Sequence, residues 1–331
     1  TYKNRCNRYT GTLMKFYNTN GIPTETPLED CFYITEHINY ELVFSAGDQT
    51  YEIEKICIQL RDQLAKKIFG DIKTYHGYFT TPIFPFASLA GIDAEIRLSK
   101  EDFETLVHGI KDKEKLFRLL YYFDVENLIS TLQNSVLETK YIIGEFYRTL
   151  NNNSFLVHND LTLVDDGIQY ASGYIVTNIT SLVNHLFINL YSQMDFTTKI
   201  IYEIENLHVD FLTYPKLKSK DTVYGDSKKT AFRELKGSIY EMSDEIRIIM
   251  YLRNEIVHNA SIDSVPKVYQ NIKNKMLIEK FILLPDFNNG IIKTFKNRKR
   301  FFNDDTKLNE ILPALITEFW NRLQFTLSEI K

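Results

Sequence analysis

Three side chains suited to phosphate and proton chemistry fall within six positions of one another. They are Arg253, Asn254 and His258, in the stretch IRIIMYLRNEIVHNA at 246–260. A guanidinium stays charged in any surroundings, so one set among apolar neighbours must find a carboxylate, a phosphate or several carbonyls. It grips a phosphate through paired hydrogen bonds. Imidazole titrates near neutral pH and can take or give a proton. An Asn and a His four positions apart on a helix share a face and can bond the same group. The plainer alternative is that Arg253 is a structural arginine and His258 merely ends a helix.

The element that must position these residues is one helix. Ser243 and Asp244 can cap its start, and Glu245 lies in the first turn, where the helix dipole favours negative charge. Wound at about 100° per residue, Ile246, Ile249, Met250, Leu252, Ile256 and Val257 fill one broad arc, with Arg253 near its middle. Arg247, Tyr251, Asn254 and His258 form a polar stripe along one flank. Arg253 and His258 point about 140° apart on such a helix. The arginine must therefore bend back, the helix must end early, or two copies of the chain must meet across a twofold axis and share a groove.

The string Arg253-Asn254-Glu255-Ile256-Val257-His258 resembles the R-N-x-x-x-H signature of the HEPN superfamily. Tyr224-Gly225-Asp226 upstream, and Leu252 and Asn259 around the motif, are similar to a prokaryotic branch of it. The resemblance covers the second half of the chain. It implies an antiparallel helical bundle, a homodimer and metal-independent cleavage of RNA, in toxin or antiviral defence roles. By the same resemblance His258 would act as general base or acid around the 2′-hydroxyl and leave a cyclic phosphate end. Arg253 would bind the scissile phosphate, and Asn254 would orient the imidazole or bind phosphate. Many members of the superfamily are non-catalytic, so the alternative is a helical dimer that binds nucleotide, RNA or a partner protein.

Around this core, Glu205 is the chosen partner for Arg253, because it lies on the flank of the apolar arc of a long helix whereas Glu203 points away. Arg247 and Tyr251 are supporting residues of the polar stripe. His208 falls inside the apolar arc and is read as a core histidine with one satisfied hydrogen bond. Lys218, Lys220, Lys228 and Lys229, with Arg298 and Arg300 in a second basic run, are candidates for RNA phosphates; a solvated surface is the default for such runs. His158-Asn159-Asp160 and Asp165-Asp166 are read as linker and helix cap rather than as a metal site. There is no P-loop, no G-x-S-x-G and no dinucleotide fingerprint, and no cofactor or metal is expected.

Composition sets the frame. At 331 residues and 44% hydrophobic, with 14% aromatics, the chain has enough material for two domains with real cores. A net charge of −4 argues against general adhesion to nucleic acid but leaves room for a local basic site. Cys6, Cys31 and Cys57 lack C-x-x-C spacing, which fits reduced thiols rather than disulfides or zinc. No apolar run reaches the roughly 20 residues of a membrane span and no leader pattern opens the chain, so a cytoplasmic protein is expected.

Along the chain the pattern predicts a mainly α protein. The N-terminal domain, 1–160, is mostly helical with short strands: helices over 26–46, from 48 to 70, from 100, and over 112–151 with a joint at Asp124, while 71–98 is extended segments and loops with a short strand at 95–98. It is expected to sense a ligand, recruit RNA or restrain the nuclease, and so to offer a surface for a regulatory partner. A soft boundary at 159–167 leads into a HEPN-like bundle over 161–331. Its four helices are a long one over 168–214, one over 230–242, the motif helix, and a final one capped by Asp305-Thr306 and kinked early by Pro313. A small β-hairpin is expected between the last two, with a turn at Asn288-Asn289-Gly290.

Overall fold

The computed structural model describes residues 14–26, 36–38, 41–43, 49–87, 91, 98–155, 161–213, 217, 230–259 and 261–330. The protein is mainly helical, with several small antiparallel sheets. In chain order the strands are β1 (Phe16–Tyr17), β2 (Pro23–Thr24), β3 (Glu36–Ile38) and β4 (Glu41–Val43). The helices α1 (Gln49–Phe69), α2 (Ile72–Tyr78), α3 (Ile83–Ala87), α4 (Lys100–His108) and α5 (Lys113–Asn152) follow. Then come β5 (Gly167–Ala171), α6 (Tyr174–Glu205), α7 (Asp244–Asn259), β6 (Val268–Lys273), β7 (Met276–Phe281) and β8 (Leu283–Pro285). The chain ends with β9 (Phe287–Asn288), β10 (Ile291–Ile292), β11 (Thr294–Phe295), β12 (Arg298–Lys299), β13 (Phe302–Lys307) and α8 (Leu308–Ser328). None of the described helices is long and apolar enough to cross a membrane.

Several expectations need correction. Strands β3 and β4 stand where a helix was expected to run to residue 46. Within 71–98, expected to be extended, Asp71 caps α2 by accepting the Thr74 N–H at 2.6 Å, and α3 follows; the proposed strand at 95–98 falls almost wholly outside the described residues. Helix α5 runs unbroken through Asp124 for 40 residues. The segment expected to start a long helix at Ile168 is strand β5; Gly173, at φ +123°, turns the chain into α6. In place of a helix over 230–242 there is a single 3-10 turn at Ala231–Glu234. Strand β13 runs directly into α8, so Asp305 and Thr306 belong to a strand and do not cap the helix.

The chain divides into two compact units, each built from three stretches. The sequence places a boundary near 159–167; the units instead draw alternately on the chain. One unit comprises Ile38–Thr139, Asn189–Ile246 and Thr317–Lys331. Its α1 buries Ile53, Cys57, Leu60, Leu64 and Ile68, the three- and four-residue spacing of one helix face. Burial pushes the Cys57 thiol up to about 12, so it serves as a small apolar side chain. A buried polar ladder joins α5 to α6: Gln193 Nε2 donates to Thr139 Oγ1 at 2.6 Å, and Ser135 bonds Asn189.

The other unit comprises Thr1–His37, Lys140–Ile188 and Arg247–Ile316. Its main sheet has the order β5-β6-β7, all antiparallel. Asn274 and Lys275 form the β6–β7 turn with φ of +54° and +58°, a left-handed pair that matches strand twist. Asp166 clamps that turn by accepting the N–H groups of Asn274 and Lys275 at 2.7 and 3.0 Å. It is thus a turn cap and not a helix cap. Lys280 on β7 is buried and donates to the carbonyls of Asn151 and Asn153, at 2.6 and 3.0 Å, where α5 ends. Burial pulls its ammonium down to about 8.

Pro313 lies inside α8 and removes the N–H that would bond the carbonyl of Asn309. The Tyr147 hydroxyl donates to that carbonyl at 2.8 Å instead. Asn309 is itself fully buried; its side chain donates to the Tyr17 hydroxyl at 2.8 Å and accepts the Ile282 N–H at 3.1 Å. Gly21 closes over this knot at φ +79°, and a Cβ there would lie 2.3 Å from Tyr147 Oη and 2.6 Å from Pro313 Cγ. Replacing Gly21 by Ala should therefore cost about 3 kcal/mol, from the left-handed backbone and the overlap together. Tyr147→Phe, which leaves a buried carbonyl without a donor, should cost about 1–3 kcal/mol. Urea denaturation midpoints measure both; midpoints equal to wild type would contradict the account.

Candidate functional site

Helix α7 begins as the sequence suggests: Ser243 Oγ accepts the Ile246 N–H at 3.4 Å, with Asp244 and Glu245 in the first turn. The buried residues along it are Ile246, Ile249, Leu252 and Glu255. These lie on an i, i+3 row, which slants around the helix axis rather than running along it. The fixed apolar arc expected from the sequence is therefore corrected. By the last turns the buried side has rotated onto Glu255, leaving Val257 48% exposed and Met250 and Ile256 half-buried.

The polar flank emerges on the surface. Tyr251, Asn254 and His258 are exposed, and Arg247 is half-buried with its guanidinium donating to the Asn289 carbonyl at 3.2 Å, in the turn between β9 and β10. Arg253 is half-buried, and its Nη1 donates to Asn254 Oδ1 at 3.0 Å. The guanidinium thus turns back towards the stripe that carries His258.

Glu255 is 8% exposed, and its carboxylate is met by two cations from the strand-rich segment. Lys299 Nζ donates to Oε1 at 2.5 Å and Arg300 Nη2 to Oε2 at 3.0 Å. Arg300 Nη2 also reaches the Asn259 carbonyl at 3.0 Å, where α7 ends, and Asn259 Nδ2 donates back to Glu255. Burial pushes the Glu255 carboxyl up, but the hydrogen bonds and charges of Lys299 and Arg300 outweigh it and hold the group below its ordinary range. Arg300 adopts φ +65°, a left-handed backbone that costs an L-residue about 1–2 kcal/mol, and the Glu255 pairing helps to hold it there. Beside this cluster is a cleft of about 390 Å³, lined by Asp263, Ser264 and residues 297–302.

The remaining candidates divide as follows. Arg298 is exposed at the cleft, whereas Arg300 is spent on Glu255 and Asn259. Lys218, Lys220, Lys228 and Lys229, and Tyr224-Gly225-Asp226, lie outside the described residues. Glu205 is exposed and accepts the Ala231 N–H at 3.0 Å. The buried acid of that helix is Glu203, 2% exposed, which accepts the Tyr121 hydroxyl at 3.3 Å. The sequence had Glu203 facing away from the core; α5 covers that side of α6. His208 is half-buried and packs edge-on against the Tyr121 ring, 5.2 Å between centroids.

Glu255 is the residue that sequence reasoning passed over. Its signal was present: it follows Ile246, Ile249 and Leu252 in steps of three, and the run 293–300 holds five cations and no acid. No family model, curated protein or solved structure matches the chain.

Removing the Glu255 carboxylate strands two cations, so Glu255→Ala should destabilise the protein by about 2–3 kcal/mol. The carboxyl is depressed on folding, so its contribution is present above the ordinary carboxylate range and lost as pH falls through the depressed value. Protection of the amides in 298–302, taken as the intrinsic exchange rate at each pH over the observed rate, should fall on acidification in wild type, and already be low at neutral pH in Glu255→Gln. Equal protection in both proteins at neutral pH would refute the clamp.

Proposed function

We propose that the protein is a metal-independent endoribonuclease of the HEPN type, acting at a composite site in a homodimer. The observation that carries this reading is the bond from Arg253 to Asn254, which brings the guanidinium round to the exposed stripe of Asn254 and His258. It answers the 140° separation that an ideal helix imposes on the two motif residues. In the proposed reaction one His258 takes the proton of a ribose 2′-hydroxyl. The freed oxygen attacks the adjacent phosphorus, the bond to the 5′-oxygen breaks, and a 2′,3′-cyclic phosphate remains. The departing oxygen takes a proton from an imidazolium, which the second copy's motif supplies in a dimer. Arg253 neutralises the charge that builds on the phosphoryl oxygens, and Asn254 orients the imidazole or the phosphate.

A helical bundle of the HEPN kind remains part of this proposal. The helices it draws on are α6, α7 and α8; the fourth helix expected over 230–242 is replaced by the 3-10 turn. The non-catalytic alternative, a helical dimer that binds nucleotide, RNA or a partner, draws on the same exposed stripe without a cleavage step.

The two readings part in a cleavage assay. Purified protein incubated with RNA in excess EDTA should yield fragments ending in 2′,3′-cyclic phosphate. His258→Ala should slow this by about 10²–10⁴-fold, with Arg253→Ala similarly impaired. No cleavage by wild type, or equal cleavage by the variants, would leave the binding reading. Light scattering on the eluting protein should give twice the mass of one chain; a monomer at assay concentration would rule out the composite site.

A further inference from the structure

The segment that clamps Glu255 also offers a surface not used by the clamp. Strands β11 and β12 form a two-residue hairpin with Lys296 and Asn297 at its tip. No acid occurs between Asp286 and Asp304. Of the five cations in 293–300, Lys299 and Arg300 are committed to Glu255, and Lys293 lies 3.9 Å from Asp286. Lys296 and Arg298 are exposed and form no ion pair among the described residues. Interleaved with them are two large apolar rings in the open, Phe295 at 64% and Phe301 at 41% exposure. Lys296 Nζ lies 5.8 Å from the Phe295 ring centroid. Arg298 and Phe301 both line the 390 Å³ cleft.

Exposed phenylalanines spaced among cations are a poor surface for a duplex, whose bases are stacked on one another and present only edges. They suit a strand whose bases are free: phosphates track the cations and unstacked bases lie on the rings. We infer that residues 294–302 are a platform for single-stranded RNA, with Lys296 and Arg298 on phosphates and Phe295 and Phe301 stacked on bases. The platform is bonded through Arg300 to the Asn259 carbonyl, the residue after His258. It therefore holds a strand beside the last turn of the motif helix. This rests on the ribonuclease reading for why RNA should be delivered there, and it names the form of RNA taken.

Binding is tested without cleavage by using a short 2′-O-methyl oligoribonucleotide, which lacks the attacking hydroxyl, with fluorescence anisotropy as the readout. Wild type should bind the single strand more tightly than a duplex of the same length and sequence. Phe295→Ala and Phe301→Ala should each weaken binding by about fivefold to a hundredfold, while Phe295→Tyr, which keeps a stacking face, should bind like wild type. Arg298→Ala should weaken binding and lower the slope of log affinity against log salt by about 0.7. The inference is overturned if the duplex binds as tightly, or if the alanine variants match wild type. It is also overturned if the protein binds vesicles containing an anionic lipid but not the oligonucleotide. The two readings fail separately: tight single-strand binding without cleavage of ordinary RNA removes the nuclease and leaves the platform. Cleavage with unaltered binding by the phenylalanine variants removes the platform alone.

Discussion

A carboxylate cannot be taken out of water without a partner, and Glu255 is the place where that rule shapes the candidate site. It sits near the end of a helix on the row that otherwise buries Ile249 and Leu252. Only the approach of Lys299 and Arg300 makes that position tolerable. The clamp fixes the last turn of α7 against the β12–β13 segment and holds Arg300 in its left-handed backbone. His258, one step further along the same i, i+3 row, lies past the clamp and is exposed. A buried ion pair adds little net stability, but removing one partner leaves an uncompensated charge, so Glu255, Lys299 and Arg300 must stay together.

The same logic recurs elsewhere in that unit. Pro313 frees a carbonyl, and Tyr147 supplies the missing donor. The end of α5 leaves carbonyls over, and the buried ammonium of Lys280 takes two of them. Asp166 gathers the N–H groups of the β6–β7 turn. Each is a backbone group that secondary structure alone leaves unsatisfied, answered by a side chain far away in sequence. In the other unit the buried ladder of Ser135, Thr139, Asn189 and Gln193 plays a comparable part between two helices.

The comparison of these side chains with the motif clarifies what can carry chemistry. Glu255, Arg300 and Lys280 are charged, but each is consumed by the fold. Arg253, Asn254 and His258 are the polar groups of α7 that keep an open face or turn towards one, and Lys296 and Arg298 are the cations of the basic run without an ion pair among the described residues. A functional reading of the chain rests on these groups.

Periodicity and capping residues fixed much of the local structure in advance. They gave the extent of α1, the start of α7 and the turn at Asn288-Asn289-Gly290, and three of the four residues of the polar stripe, Tyr251, Asn254 and His258, are exposed. Such features depend on residues within one or two turns of each other, so the sequence holds all the terms. The strand at 167–171, the 3-10 turn at 231–234, the burial of Glu203 and the role of Glu255 were not legible in the same way. Three of these are decided by a partner tens of residues distant: β6 for β5, Tyr121 for Glu203, Lys299 and Arg300 for Glu255. A spacing of three and four identifies a helix face, but only the packed neighbour determines whether that face ends in a leucine or in a carboxylate held by two cations.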